Sequence, residues 1–452
     1  MCYKYDLVVV GGGPGGLEAA HRTAKAGKRA LIIEKSGWGG TCTHRGCIPT
    51  KALLTCSKYY TDLKKFRRLG INIPSAAFDF SAMKKHQQQM VRVAALGAQK
   101  TLADAGVETQ VGTGDILSPQ EVRFTDSAGS SQVVSTGNIV IARGSKPQIV
   151  SGIDLSERIL TSDGILNLVA LPGSIAIVGG SFIGIEFATF FAELGVKVTL
   201  IEMLDHILPQ EDQEVTDLLK QELIRAGVVV HQSTRLSGLQ ETDGSVAVQV
   251  QNDAGQMEWN MDYVLLCTGR LPNINEAELI SSGIAFDQTG IKVDQNMLTS
   301  VPGIYAVGDV TGGMMLAHRA AQQGKAAAAN ICGYDAPPYN ENFIPSVVYS
   351  HPQIARVGMT VSQAEAQGLN VEIVKSSYGA NVIARTELAG QGFVKALFHD
   401  DKLIGVTIIG DHASELIASM SLTLANGLSR RQLLSWVIPH PTLSEIFLPI
   451  FS

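Results

Sequence analysis

No apolar run in this 452-residue sequence approaches the roughly 20 residues needed for a membrane-spanning helix, which argues against a helical span. Cysteine is scarce: the six, at positions 2, 42, 47, 56, 267 and 332, are too few for a secreted disulfide framework in so long a chain. Positive charge is not in excess, and a formal charge of −6 argues against an extended nucleic-acid footprint. Histidines and carboxylates nowhere gather at metal-ligand spacing, so no metal is expected. The first residues, Met1 to Asp6, lead directly into a strand where a signal peptide would sit, so the expected compartment is a reducing cytoplasm. With 45% hydrophobic and 17% charged residues the chain can bury more than one core, and three domains is the natural expectation from length.

Against this background Cys42 and Cys47 stand out, in Gly39-Gly40-Thr41-Cys42-Thr43-His44-Arg45-Gly46-Cys47-Ile48-Pro49-Thr50-Lys51. By themselves they read equally well as two buried cysteines at a helix start. In a reducing compartment a close pair is more plausibly reactive than a structural staple. Cys2, Cys56, Cys267 and Cys332 read as ordinary thiols.

The thiol pair follows a dinucleotide-binding pattern. An apolar strand from Tyr5 to Val10 runs into Gly11-Gly12-Gly13-Pro14-Gly15-Gly16, which satisfies G-x-G-x-x-G at Gly11, Gly13 and Gly16. A second strand, Ala30 to Ile33, ends at Glu34, 23 positions past Gly11 and placed to accept hydrogen bonds from an adenosine ribose. Glycines there allow a tight turn and close approach of backbone N–H groups to a pyrophosphate at a helix N-terminus. The device then repeats: a strand from Ser174 to Val178, a turn at Gly179-Gly180-Ser181-Phe182-Ile183-Gly184, a helix to about Leu194, and a strand from Lys197 to Ile201 ending at Glu202. Gly179 and Glu202 are again 23 positions apart. Ser181 stands where the middle glycine is expected. Two such units and a thiol pair suggest a flavin and a nicotinamide serving one redox centre.

Further along, Thr299 to Asp309 reads as a turn, a short buried strand and an acid at its carboxyl end, where open α/β sheets bind ligands; the plainer reading of Asp309 is a helix N-cap. Near the C-terminus His440 precedes Glu445 by five positions, the arrangement of a general base oriented by a carboxylate. Residues 78–106 read as a long helix, followed by a β-rich stretch from Val107.

Together with Thr268-Gly269-Arg270-Leu271-Pro272-Asn273, Gly308-Asp309 with Leu316-Ala317-His318-Arg319-Ala320, Val347-Val348-Tyr349-Ser350-His351-Pro352, Gly392-Phe393-Val394-Lys395 and Ile408 to Glu415, these segments resemble the pyridine nucleotide-disulfide oxidoreductase family over nearly the whole chain. The last of these and His440-Pro441-Thr442-Leu443-Ser444-Glu445 resemble its dihydrolipoamide dehydrogenase branch. The resemblance implies an α/β fold with two Rossmann-like domains and a C-terminal α+β dimerisation domain. The expected division is an FAD domain over 1–145, an NAD domain over 146–264, an FAD and central region over 265–334 and the dimerisation domain over 335–452. It implies FAD and NAD as cofactors and a homodimer whose active site is shared between subunits. It also implies oxidation of dihydrolipoamide, free or on a lipoyl-bearing protein of a 2-oxo-acid dehydrogenase complex. Cys42 and Cys47 would form the redox disulfide and His440 with Glu445 the base. The cofactor residues would be Gly11, Gly13, Gly16, Glu34, Lys51, Gly144, Gly179, Gly184, Glu186, Glu202, Gly269, Gly308, Asp309 and Ala317.

Some residues depart from the family pattern. Thr43-His44-Arg45-Gly46 stands between the cysteines in place of the usual Leu-Asn-Val-Gly, bringing positive charge that would favour thiolate. Arg143 replaces a usual threonine, and Ile438 a common histidine. Related NADP-dependent reductases of glutathione-like disulfides would want arginines after the second strand, whereas this chain has Glu202-Met203-Leu204-Asp205-His206, which favours NAD. Mercuric and thiol-tailed thioredoxin reductases need a C-terminal thiol pair, and this chain ends Pro449-Ile450-Phe451-Ser452. Reduction of a coenzyme A-like disulfide and a flavin-bearing assembly or sensor module are the remaining alternatives.

Overall fold

The computed structural model describes residues 3–452, so Cys2 lies outside the described residues. The chain forms two units. The first runs to Ala52 and takes in Lys84–Gln148 and Gly269–Glu341; the second comprises Leu53–Met83, Ile149–Thr268 and Asn342–Ser452.

In the first unit a seven-stranded sheet has the order Ile304–Ala306, Ile139–Ile141, Leu7–Val10, Ala30–Glu34, Glu108–Ser118, Glu121–Asp126, Ser131–Ser135. The first five strands pair in parallel and the last three form an antiparallel meander. Leu7–Val10 and Ala30–Glu34 are buried throughout, as expected of central strands covered on both faces. The first strand begins two residues later than Tyr5. Tyr5 makes only an isolated bridge to Thr136, and the Asp6 carboxylate accepts the Arg29 N–H at 2.7 Å, so the ladder proper starts at Leu7. Helix Pro14–Lys25 follows the glycine turn with proline at its first position, where the missing N–H costs no helical bond.

The second unit contains a similar device. Five parallel strands lie in the order Val229–His231, Lys197–Ile201, Ser174–Val178, Tyr263–Leu266, Ile159–Thr161, with a three-stranded antiparallel meander inserted before Tyr263. Helix Phe182–Glu193 is apolar on nearly all sides because it is buried. The same unit holds a five-stranded antiparallel sheet, in the order Ser346–Val348, Gln353–Gly358, Lys402–Gly410, Phe393–His399, Glu372–Ser377, backed by helix Ala413–Ala425. This is an α/β fold in which one dinucleotide-binding architecture occurs twice, followed by an α+β part.

The long helix expected over 78–106 spans Phe80–Asp104. It begins where the Asp79 carboxylate accepts the N–H groups of Ser81 and Ala82 at 2.8 and 3.2 Å, and Gly106 at φ 76° turns the chain beyond its end. No helix among the described residues is long and apolar enough to cross a membrane.

Candidate active site

In the first unit, Gly11 takes a left-handed φ of 114°, and a methyl group there would meet the Ala142 carbonyl at 2.2 Å. Gly16 is closed in the same way by the Gly11 carbonyl at 2.1 Å, so helix and strand pack with no room for a side chain. Gly13 differs: a Cβ there would meet nothing within 4 Å. The turn is therefore tight beneath and open above, and no side chain caps the helix that starts at Pro14. Its first N–H groups face that opening, the arrangement that favours a pyrophosphate.

Glu34 lies beneath this opening. Its Oε2 accepts the Gly12 N–H at 2.6 Å; Oε1 accepts the Ser36 N–H at 2.6 Å and the Ser36 hydroxyl at 2.9 Å. The hydroxyl is the donor that can rotate away, which frees a lone pair for a ribose hydroxyl. The far side of the cradle is a network of distant residues. Ser145 Oγ donates to Asp309 at 2.5 Å and accepts from Arg270 Nε at 2.8 Å, while the Gly308 N–H donates to Gln323 at 2.7 Å. Asp309 lies in the one-turn helix Gly308–Thr311, not at the N-cap of helix Ala317–Cys332, which Leu316 occupies. Ala317 is the first residue of that helix, again without a side-chain cap. Gly144 and Gly269 adopt φ 70° and 108° where this part of the chain turns. An open backbone cradle, an acid at the strand end and a second uncapped helix start fit an FAD.

The thiols lie against this cradle. The Gly39 N–H donates to the Gly12 carbonyl at 2.9 Å, and Gly40 approaches so closely that a Cβ on it would lie 2.8 Å from the Gly13 Cα. Cys42 lies in helix Gly40–Arg45 and Cys47 opens helix Cys47–Phe66. The pair is present as two thiols. The Cys42 thiol is hydrogen-bonded to Cys47 and is held well above the usual thiol range, first by that bond and then by burial; the Lys51 ammonium acts in the opposite direction. The residues between the cysteines are arranged locally. His44 Nε2 bonds the Trp38 carbonyl at 3.1 Å, and Arg45 is exposed. Arg143 forms a two-pronged ion pair with Glu278, with NH2 to Oε1 at 2.8 Å, and also donates to the Gly114 carbonyl at 2.6 Å. Its charge is thus committed inside the first unit.

In the second unit the turn is built alike. Gly179 has φ 107°, and a Cβ on Gly184 would lie 1.9 Å from the Gly179 carbonyl. Glu202 Oε2 accepts the Gly180 N–H at 2.6 Å and Oε1 the Leu204 N–H at 2.8 Å, leaving acceptor capacity for ribose hydroxyls. Ser181 is exposed and extended, and its hydroxyl makes no capping bond, so the N–H groups of helix Phe182–Glu193 are not taken up by it. Glu186 is buried in that helix and accepts the Tyr349 N–H at 3.2 Å.

His440 Nδ1 lies 2.9 Å from Glu445 Oε1, and Glu445 Oε2 accepts the Thr442 N–H at 2.9 Å. These two bonds hold the Glu445 carboxyl below the usual carboxylate range, the Thr442 N–H contributing most. Asn381 pins the loop by donating to the carbonyls of Thr442 and Leu443 at 3.1 and 3.3 Å. The imidazole is thus oriented although its side chain is 78% exposed. It faces away from its own core.

Among the described residues no group of three or more His, Cys, Asp or Glu could hold a metal. Burial pushes the thiols of Cys56, Cys267 and Cys332 up, as for unreactive cysteines. The sequence analysis did not single out Ser145, Arg270 or Gln323 as site residues. Only Arg270 lies in a quoted motif; Ser145 and Gln323 carried no signal, since the bonds these residues make join positions more than 120 apart, or 15 in the case of Gln323.

Comparison with known proteins agrees with this architecture. Residues 5–324 match the family described as pyridine nucleotide-disulphide oxidoreductase, and residues 344–449 match that family's dimerisation domain. A dihydrolipoyl dehydrogenase of Chlamydia pneumoniae is 36% identical over 99% of this chain and 96% of its own. That of Geobacillus stearothermophilus is 35% identical over 98% and 94%. Among solved structures, LpdA from Mycobacterium tuberculosis superposes with a TM-score of 0.92 at 26% identity, covering 98% of this chain and 97% of its own. The HOCl-induced flavoprotein disulfide reductase RclA from Escherichia coli gives 0.86 at 27% identity, covering 99% of each.

Proposed function

The chain belongs to the pyridine nucleotide-disulphide oxidoreductase family, and from that premise we propose that it is a dihydrolipoyl dehydrogenase, with Cys42, Cys47, His440 and Glu445 as its reacting groups. It is a flavin-dependent disulfide oxidoreductase using FAD and NAD. The observation that carries the finer reading is the thiol pair set directly against the open glycine turn, through the Gly39 bond to Gly12 and the contact of Gly40 with Gly13.

In the reaction direction, a sulfur of dihydrolipoamide attacks Cys42 Sγ in the Cys42–Cys47 disulfide as His440 takes the thiol proton; the disulfide breaks and Cys47 leaves as thiolate. The second substrate sulfur then displaces Cys42, closing the lipoyl disulfide and leaving the enzyme with two more electrons. FAD, when bound, relays those electrons from the thiol pair to NAD⁺. The raised Cys42 thiol, held up first by its bond to Cys47 and then by burial, fits the role of the sulfur that exchanges with substrate. Glu445 fixes the tautomer and direction of the His440 ring. Lys51 and Glu186 are assigned beside the flavin. FAD contacts are assigned to Gly11, Gly13, Gly16, Glu34, Gly144, Gly308, Asp309 and Ala317, NAD contacts to Gly179, Gly184 and Glu202, and Gly269 is assigned to cofactor binding.

The corresponding domains are 1–145 for FAD, 146–264 for NAD, 265–334 for the central region and 335–452 for dimerisation. The exposed, oriented His440 supports a homodimer in which each site draws its base from the other chain. A lipoyl-bearing protein of a 2-oxo-acid dehydrogenase complex, in the cytoplasm, is the proposed physiological partner. The test is a steady-state panel of dihydrolipoamide, lipoyl-protein, glutathione disulfide and coenzyme A disulfide, each with NAD(H) and NADP(H). The reading expects dihydrolipoamide or lipoyl-protein with NAD⁺ to lead by at least about tenfold in kcat/KM. A lead by another disulfide, or equal use of NADP(H), contradicts it.

A further inference from the structure

The antiparallel sheet of the second unit carries a row of cations on one face. Register places Arg356 opposite Thr407, Thr407 opposite Lys395, and Lys395 opposite Lys375, on four adjacent strands. Side chains at directly paired positions lie on the same face of a sheet, so the three cations form a line with Thr407 within it. Arg356 and Lys395 are buried, Lys395 to 1% exposure.

Three carboxylates of the nucleotide-binding part meet this row. Glu211 receives Arg356 Nε at 2.8 Å; Lys395 bonds Asp212 and lies 2.8 Å from Glu214; Lys375 bonds the other oxygen of Glu214. The Asp212 Oδ1 also accepts the Val361 N–H at 3.3 Å. Buried charges are retained in a fold only when paired, and three cations face three carboxylates here.

These carboxylates end the segment that starts at Glu202, the acid of the second glycine unit. That segment folds back on the turn. The Glu211 N–H donates to the Leu208 carbonyl at 2.9 Å, and the Leu208 N–H donates to the Gly180 carbonyl at 2.9 Å. Leu208 is buried with φ 48°, a left-handed conformation that a leucine keeps only when its surroundings impose it. Ile207 is fully buried, and a Cβ on Gly180 would come within 2.8 Å of it. Gly180 in turn donates its N–H to Glu202. The path from sheet to nucleotide turn is therefore continuous: Arg356 and Lys395, Glu211 and Asp212, Leu208, Gly180, Glu202.

We infer that Arg356 and Lys395 are positioning residues for the pyridine nucleotide: they clamp the segment 203–212 against the second glycine turn and so hold Glu202 where the adenosine ribose binds. This rests on the proposed nucleotide site. It adds that the C-terminal sheet sets nucleotide affinity without touching the nucleotide.

The test uses the full-length, FAD-loaded protein and its Arg356→Gln and Lys395→Met variants. The Kd for NAD⁺ is measured by calorimetry on the oxidised protein, alongside KM for NAD⁺, KM for dihydrolipoamide and dihydrolipoamide-to-dye turnover. A coupling of ordinary size raises Kd and KM for NAD⁺ by about five- to tenfold, while KM for the dithiol and dye turnover stay within about twofold. Arg356→Gln leaves Glu211 buried without its cation; if that variant does not fold, the neutral pair Glu211→Gln/Arg356→Gln carries the same expectation. Unchanged NAD⁺ affinity in folded variants, or equal losses for nucleotide and dithiol, overturns the inference. Absence of NAD⁺ binding in the unsubstituted protein would instead overturn the nucleotide site itself.

Discussion

Cys42 and Cys47 are chemically alike and five positions apart, yet their surroundings separate them. The Cys42 thiol is hydrogen-bonded to Cys47 and buried, which together push it up, while the Lys51 ammonium acts the other way. Cys42→Ser is therefore expected to abolish disulfide turnover while preserving a long-wavelength absorption from the Cys47 thiolate beside the flavin. Cys47→Ser should remove both, and identical spectra for the two variants would contradict the assignment. At Glu445 the sign of the pH effect follows from its depressed carboxyl. A carboxylate below its ordinary value stays ionised, and keeps His440 oriented, until pH falls through that lowered value. Loss of activity above about pH 5 thus belongs to another group, since an ordinary glutamate titrates near 4.3. Glu445→Gln should lower lipoyl turnover by about ten- to a hundredfold while retaining the acid limb of its pH profile; disappearance of that limb would show Glu445 to be its source. Arg143 shows why a departure from a family pattern needs a structure. In the sequence it is only an arginine where the family usually has threonine; in the fold it is bound to Glu278 and the Gly114 carbonyl. Arg143→Ala is expected to cost about 3 kcal/mol in denaturant unfolding by leaving Glu278 buried and unpaired, without reordering disulfide preference. A stability change below about 0.5 kcal/mol would contradict that role.

At the scale of elements, both strand-turn-helix-strand-acid units were readable because their signals are local: buried strands, glycines at fixed spacing, and an acid 23 positions on. The strands Ser174–Val178 and Lys197–Ile201 fall where the sequence puts them. Errors of two residues occurred where side chains set the ends, as at Asp6 and Asp79, since apolar periodicity does not record which polar group caps a backbone N–H. The Ser145, Asp309 and Arg270 bonds and the cationic row at Arg356, Lys395 and Lys375 were not readable as interactions, because they exist only once register brings remote strands together. The glycines of one turn also separate by role. Gly13→Ala should fold normally, since its φ of −74° suits alanine and its Cβ meets nothing, yet its methyl group enters the cradle and should lower the flavin content. Gly16→Ala should fail to fold, because its Cβ would lie 2.1 Å from a carbonyl oxygen. Flavin absorbance per chain together with circular dichroism checks both; full flavin occupancy in folded Gly13→Ala would count against the cradle.

For the whole molecule, the two halves of the proposed chemistry lie in different units of the chain: Cys42 and Cys47 in the first, His440 and Glu445 in the second. His440 is oriented by Glu445 but largely exposed, and residues 344–449 match a dimerisation domain. Around it the C-terminal part exposes Leu434, Val437 and Leu448, apolar side chains suited to burial by a second copy. A base presented outward and thiols set against a cofactor cradle are accounted for together if each active site is built from two chains. The most direct test mixes two inactive proteins, Cys42→Ser and His440→Gln, under conditions of confirmed subunit exchange. Each alone should lack dihydrolipoamide oxidation, with His440→Gln still passing electrons from NADH to a dye. The mixture should regain activity, because one of the two sites in each heterodimer then has both its thiols and its base. No recovery despite heterodimer formation would contradict the shared site.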